Sequence, residues 1–361
     1  MCADGYSSDL NVKEGQTSPD RPLDLICLGR VAVDFYSEQI GRSIEGSQTF
    51  AKYLGGSTGN IAVGTARLGL KSSMLTRVGD EALGRFLRRT LEIERVDVSH
   101  VVTDKDHLTG LAILGIDPPS KFPMILYREN CADMQVKRTD ADDSYLSSAK
   151  ALLFNGTCLS EPAMHAETTA IVRRSKELGA KILFDIDYRP ATWKNPDSSK
   201  KEMNSISSEY QKVLQFVDLL VGTQEEFQIA GGANSLDKAL SLIRSLTDAI
   251  LVVKKGPDGC VMYPDSLGNP IMSEPFPVTV LNAVGAGDAF MSGFLYSWLR
   301  GKELEACAQT GNAAGAIVVT RHGCAPAMPS EIELNYFMRT KQIDSTLDTL
   351  HATMNDRVVI D

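Results

Sequence analysis

The sequence predicts an α/β fold of three layers, α/β/α, built on one mostly parallel sheet and carrying a small β-sheet lid. Three observations predict it. Short apolar runs alternate with amphipathic stretches along most of the 361 residues. Most of the apolar runs end in Gly, Asp, Asn or Thr, as buried strands do where they emerge at a carboxyl edge. Two segments break the alternation and read as short strands and turns.

The first 22 residues are polar and aperiodic and are expected to form a disordered tail. They lack the apolar core of a signal peptide and the Arg-rich pattern of a transit peptide. "DLICLG" (24–29) is the first buried strand, "GNIAVGTARLGL" (59–70) a helix and "SSMLTRVG" (72–79) the next strand. "ALLFNG" (151–156), "KILFDID" (181–187), "DLLVGT" (218–223) and "AILVVKKG" (249–256) are further strands. Helices over "AMHAETTAIVRRSKELG" (163–179) and "SLDKALSLIRSL" (235–246) separate them. Such alternation implies right-handed βαβ units with both sheet faces covered, and a ligand off the carboxyl ends of the strands. Segments 31–54 and 108–137 contain no convincing helix, and "LAILGI" and "FPMILY" in the second need something to pack on. Together they predict a small antiparallel flap over that edge. The folded domain is expected to span residues 23–335, with 336–361 a loosely attached C-terminal extension.

Composition narrows the function. The net charge is -9 and no Lys/Arg-rich run occurs, which argues against a nucleic-acid partner. No run approaches the length of a membrane span, so no membrane partner is expected. Seven cysteines are scattered, odd in number and without a CxxC pair, which fits reduced thiols in a cytoplasmic protein. The five histidines show no ligand spacing, and no structural transition metal is expected. GxxxxGK[ST] is absent, as is a GxGxxG after a strand, so neither a P-loop nor a dinucleotide fold is indicated.

"LNAVGAGDAF" (281–290) carries the chemistry. From Ala289 the apolar residues Phe290, Phe294 and Trp298 fall at helical spacing, and Gly301 marks a stop. Gly285, Ala286 and Gly287 therefore lead into a helix N-terminus, where free N–H groups and the helix dipole hold anions. Asp288 would repel a phosphate unless it has another task. Acting as general base for an attacking hydroxyl is one, with the dipole keeping the carboxylate ionised. A helix N-cap in a glycine turn is the other reading, and ten residues do not separate the two.

The stretch "NAVGAGDAFMSGF" resembles the C-terminal signature of the ribokinase-like (PfkB) sugar kinases. "GGSTGNIAVGTARLG" (55–69) resembles their N-terminal signature, and "TRVGDEALGRFL" (76–87) follows where the family has it. The resemblance covers roughly residues 23 to 335. "FAKYLGGS", "LYRENCADM", "FDIDYRPATW", "VGTQEEF" and "VVTRHGCAPAMP" look most like the branch acting on a keto-deoxy sugar acid in inositol breakdown. Branches acting on 2-keto-3-deoxy acids or on fructose are the near alternatives.

The resemblance implies roles. Asp288 is the catalytic base, and Gly285, Ala286 and Gly287 form the anion hole. Asp34 accepts sugar hydroxyls, and Gly55, Gly56 and Asn60 form the sugar-contacting turn. Arg128 and Arg189 take the substrate carboxylate, with Arg30 a weaker candidate. Lys255, Gly256 and Gly259 form a nucleotide-phosphate loop, and Asn312 lies in the adenine pocket. ATP and Mg²⁺ are implied, the metal organised by Glu226 through water. The chain departs from the family pattern where Asn282 replaces a common Asp and Thr223 a common Asn. The first change bears on a monovalent cation common in the family, the second on the Mg²⁺ site. A homodimer or higher homo-oligomer is expected. A sugar-binding regulator that kept the fold without catalysis is the rival from another class, and a dehydrogenase is disfavoured by the missing fingerprint.

Overall fold

The computed structural model describes residues 21–117, 121–193, 200–265 and 267–348. Residues 1–20 of the expected tail, and those from 349 onward, lie outside them. The chain opens with β1 (Leu23–Leu28), β2 (Ala32–Ser37), β3 (Phe50–Gly55), α1 (Ser57–Arg67), β4 (Ser72–Gly79), α2 (Ala82–Ile93) and β5 (Val101–Asp104). It continues through β6 (Leu111–Leu114), β7 (Met124–Tyr127), α3 (Asp143–Ser147), β8 (Ala149–Asn155), α4 (Pro162–Glu177) and β9 (Lys181–Asp185). Next come α5 (Lys200–Leu214), β10 (Leu219–Thr223), α6 (Gln224–Gly231), α7 (Leu236–Arg244), β11 (Ile250–Lys254), β12 (Cys260–Tyr263) and β13 (Ile271–Ser273). Helices α8 (Ala286–Trp298), α9 (Leu304–Val318) and α10 (Glu331–Thr340) close the described chain.

Nine strands form one sheet in the order β13-β12-β11-β10-β9-β8-β1-β4-β5. Every pairing from β11 to β5 is parallel, and β12 and β13 add antiparallel at one edge. Parallel strands covered on both faces must be apolar on both, which is why they read as continuous runs in the sequence. Successive residues then go to opposite cores. Cys27, Leu153, Leu183 and Val252 meet residues of α1, α2 and α8 on one face. Ile26, Phe154, Phe184 and Val253 meet α4, α5, α6 and α7 on the other. The predicted three layers are therefore present, whereas the edge hairpin of β12 and β13 was not read from the sequence.

The smaller sheet has the order β3-β2-β6-β7 and is built from the two segments that break the alternation. It is mixed, not antiparallel as expected, because β2 pairs with β6 in parallel. The reason is topological. The chain leaves the large sheet after β1 and again after β5, both times from the carboxyl edge. The first strand of each excursion therefore runs the same way, and β3 and β7 return beside them.

Helix α10 crosses the boundary expected at residue 335. Ser330 and Glu333 form a capping box that starts it. Glu333 also accepts from Arg321 Nη2 at 2.6 Å, and Leu334 and Phe337 are buried against α9. Met338 packs beside them, so the apolar stripe of "EIELNYFMRT" is Leu334, Phe337 and Met338, confined to one turn of the helix. Phe337→Ala should lower unfolding free energy by about 3–5 kcal/mol, the usual cost of an aromatic cavity. Urea denaturation would show this, and a loss below ~1 kcal/mol would mean that α10 is peripheral.

Candidate active site

The carboxyl ends of β1, β8, β9, β10 and β11 and the N-termini of α1 and α8 face one another. At the centre lies Asp288, in the first turn of α8 and 8% exposed. Ser57 Oγ donates to its Oδ1 at 2.9 Å, and Asn60 Nδ2 donates to its Oδ2 at 2.8 Å. Both donors sit in the first turn of α1, so the two helix starts meet through one carboxylate. Burial pushes the Asp288 carboxyl above its ordinary value and Asp187 adds to the shift, while Asn60, Arg189 and Ser57 oppose it. Desolvation outweighs these opposing partners, so the carboxyl binds a proton more tightly than an ordinary aspartate does.

Gly285 is the N-cap of α8, with φ 89 in the left-handed region. A Cβ there would lie 2.7 Å from Cys324 Sγ, so only glycine fits. The first i→i−4 bond of α8 runs from Ala289 N to Gly285 O at 2.9 Å. The N–H groups of Gly287 and Asp288 precede it and are the free donors of the helix start. Lys254 Nζ lies 3.3 Å from the point that a Cβ on Gly287 would occupy.

Around this centre stand Lys254, Asp185 and Asp187, which the sequence reading passed over, beside Arg189 and Glu226, which it named. Lys254 Nζ pairs with Asp185 Oδ1 at 3.1 Å. Burial pushes the Asp185 carboxyl up, with Lys254 opposing. Burial pulls the ammonium down, but Asp185, Glu226 and Asp187 hold it above its ordinary value. Asp187, at φ 34, accepts from Arg189 Nε at 2.9 Å and from Asn155 Nδ2 at 3.0 Å. The Asp187 charge raises the Arg189 guanidinium further. Glu226 completes a capping box with Thr223, accepting from Thr223 N at 2.6 Å and from Tyr188 N at 3.1 Å. Its Oε1 thus braces the segment carrying Asp187 and Arg189, while Oε2 caps the start of α6. Among the described residues no group of three or more His, Cys, Asp or Glu could hold a metal ion.

Asp34 on β2 covers Gly55, where a Cβ would lie 2.0 Å from Asp34 Oδ2. Gly56, the N-cap of α1, also has a left-handed φ of 88. Asp34 is buried, and burial pushes its carboxyl up to about 7, with Arg30 opposing and Asp288 adding. No hydrogen bond to its carboxylate occurs among the described residues. Arg30 is buried too, and its Nε has no partner. Arg128 is held by Asp133, Nε to Oδ2 at 2.7 Å, with both side chains at most 5% exposed. Its Nη1 and Nη2 are buried without partners, as is Asp133 Oδ1. Burial pulls the Arg128 guanidinium down, but Asp133 outweighs it and raises it.

The expected nucleotide residues lie further out. Lys255 and Gly256 are exposed in the turn after β11, and Gly259 packs against Ser273 O. Asn312 on α9 donates to Ser273 Oγ at 3.2 Å and to Glu274 O at 3.0 Å, tying α9 to the end of β13. Lys254, one residue before the expected lysine, is the one that faces the anion loop. Strand alternation in "ILVVKK" separates the two, since Val252 and Lys254 share a face and Lys255 lies beyond the strand.

The family model described as pfkB family carbohydrate kinase matches residues 23–331. A 5-dehydro-2-deoxygluconokinase of Geobacillus kaustophilus is 34% identical over 323 residues, covering 88% of this chain and 94% of its own. Fructokinase with bound ATP from Xylella fastidiosa shares the fold at TM-score 0.77 and 23% identity, over 88% of this chain and 98% of that one. Fructokinase from Vibrio cholerae in a fructose, ADP and calcium ion bound form matches at TM-score 0.76 and 24% identity, over 88% and 100%. These two show the fold alone: a large, mostly parallel sheet between helices, with a smaller sheet attached. With a family match along nearly all of the described chain, the protein belongs to the pfkB family of carbohydrate kinases, phosphotransferases that act on an alcohol group.

Proposed function

We propose that the chain phosphorylates the primary 6-hydroxyl of 5-dehydro-2-deoxy-D-gluconate at the expense of ATP. The observation that carries the chemistry is the Asp288 carboxylate, buried between the Ser57 and Asn60 donors beside the free N–H groups of α8. Its raised affinity for a proton suits a base that must take one from an alcohol near neutral pH. In this reading the free N–H groups of Gly287 and Asp288, set by the turn at Gly285, meet the transferred phosphoryl group, while Ala286, expected beside them, spends its N–H on Ala283 O at 3.3 Å. Lys254 adds a cation beside them. Asn60, expected to contact the sugar, acts chiefly by aiming Asp288.

The smaller sheet serves as the lid over the sugar. Asp34, with no donor on its carboxylate among the described residues, accepts sugar hydroxyls. Arg128 supplies the acid selectivity: its buried, unpartnered Nη1 and Nη2 are the two prongs that a carboxylate would fill. Arg189 is already engaged by Asp187 and is the weaker partner. Identity to 5-dehydro-2-deoxygluconokinases over most of the chain supports the same substrate. Lys255, Gly256, Gly259 and Asn312 bound the nucleotide side.

Mg²⁺ fits this donor set as a hydrated ion carried on the nucleotide, not as one caged by protein. Glu226 spends both oxygens on backbone N–H groups, and Asp185 shares one with Lys254. Such carboxylates face the ion through water, as Mg²⁺ sites often do. The ion would supply charge neutralisation on the phosphates.

Asp288→Asn should cut turnover by ~10²–10⁴ while ATP affinity holds. A coupled ADP-release assay and calorimetry read the two, and near-normal turnover would reduce Asp288 to a helix cap. Arg128→Ala should weaken sugar-acid binding by roughly one to two orders of magnitude, as expected for lost hydrogen bonds to a charged group. It should leave ATP binding unaffected. A wild-type enzyme that phosphorylates fructose as well as the acid would overturn the acid reading.

Asp34 gives a pH signature. Its folded value near 7 lies above the ordinary 3.8, so the native state holds the proton more tightly than the unfolded chain. Stability is therefore greatest below the ordinary value and falls as pH rises through the window up to the folded one. Asp34→Asn should thus be more stable than wild type, by a margin that grows by about 2 kcal/mol between roughly pH 5.5 and pH 8. Urea denaturation at the two pH values measures the margin. A constant one would show that Asp34 titrates like a surface acid.

A further inference from the structure

Asp34 and Tyr36 stand two residues apart on β2, so their side chains share one face of the smaller sheet. Tyr53, the partner of Asp34 across the β2–β3 ladder, lies on that face as well. Tyr36 is fully buried, and its hydroxyl lies 2.8 Å from Cys324 Sγ. Cys324 in turn presses on the anion loop, since a Cβ on Gly285 would lie 2.7 Å from its Sγ and 3.1 Å from its Cβ. The His322 ring meets Tyr36 and Tyr53 edge-on, with centroids 5.4 and 6.0 Å away.

One hydrophobic cluster holds Tyr36, Ala112, Leu114 and Ile116 of the smaller sheet's two segments. Among the described residues, its members from the rest of the molecule are Cys324 and Val284. Val284 is the residue immediately before Gly285. Packing that merely anchored a lid could meet the body anywhere. The other face of the smaller sheet packs into the main core through Val33 and Leu54, but the face that carries Tyr36 meets the body at the two residues that contact or precede the N-cap of α8.

We propose that the Tyr36–Cys324 contact couples the smaller sheet to the anion loop, so that occupancy of the loop orders the sugar-binding face that carries Asp34, and the reverse. The inference rests on the placement of nucleotide and sugar proposed above. Its mechanics are steric. Gly285 has no side chain with which to absorb a shift of Cys324, and close-packed side chains transmit displacement instead of damping it. Tyr36 and Cys324 are positioning residues and touch no reacting atom. Coupling of this kind is reciprocal and typically worth 5- to 150-fold in affinity.

Hydrogen–deuterium exchange with the non-hydrolysable analogue AMP-PNP and Mg²⁺, without sugar, tests the proposal and does not depend on which sugar is the substrate. In the wild type, protection should appear at residues 285–288 and spread to β2 (32–37) and β6 (111–114). Tyr36→Phe and Cys324→Ala should keep protection at 285–288 and lose most of it in β2 and β6. Cys324→Ser, which keeps a partner for the Tyr36 hydroxyl at similar volume, should restore it. Unchanged spread in both disruptive variants would overturn the proposal, as would no spread in the wild type. Absence of protection at 285–288 themselves would sink the nucleotide placement and this proposal with it. Failure of the sugar-acid reading would show separately, in turnover with the sugar panel.

Discussion

The structure depends on one buried carboxylate. Asp288 is enclosed where α1 and α8 begin, and each of its oxygens takes a donor from α1. An ionised group so buried is tolerated only when it is hydrogen-bonded. The two helix starts must therefore stay in register to within a hydrogen-bond length. That requirement explains the small residues on both sides. Gly55 and Gly56 bring the chain into α1, and Gly285 turns it into α8 where any side chain would strike Cys324. The motifs separated by more than two hundred residues in sequence are the two halves of one contact.

The same crowding sets the electrostatics. Asp34, Asp185, Asp187, Glu226 and Asp288 influence one another or share the same cations. Each has a different restraint: Lys254 for Asp185, Arg189 and Asn155 for Asp187, backbone N–H groups for Glu226. Asp288 has neutral donors only, and Asp34 has no protein donor among the described residues. The two acids held by neither a cation nor backbone N–H groups are the two with chemical tasks in the proposed reaction. A proton bound more tightly than usual serves the base, and a bare carboxylate serves the polyol. Restraint of the other three keeps their charge from pushing an incoming phosphate away.

Much of this was legible in the sequence. Parallel strands buried on both faces give continuous apolar runs, and the motif around Asp288 could be read as an anion loop with an acid at its mouth. Less legible were features that depend on partners far away in the chain. Asp185 and Lys254 look like ordinary strand ends, and only the sheet order brings β9 and β11 to the two sides of β10. Helix α10 is short, and its apolar stripe, Leu334, Phe337 and Met338, covers one turn only, so its anchoring on α9 shows in the structure alone. Asn60 could be placed in a helix's first turn but not aimed, since aim depends on where α8 begins.

The mixed pairing of the smaller sheet follows from where its strands are rooted. β2 leaves directly from the end of β1, and β6 follows β5, so both excursions start at the edge where the site is built. Strands rooted there run outward in parallel and must pair so. Asp34 then falls only a few residues beyond the end of β1, close to Asp288, and Tyr36 falls one pleat further along the same face. A strand that starts in the site and projects over it cannot place a binding residue on its inner face without placing the next alternate residue against the body. In this chain the body at that point is Cys324 and the N-cap of α8. The link between the smaller sheet and the anion loop is thus a consequence of strand alternation applied at the carboxyl edge of the large sheet.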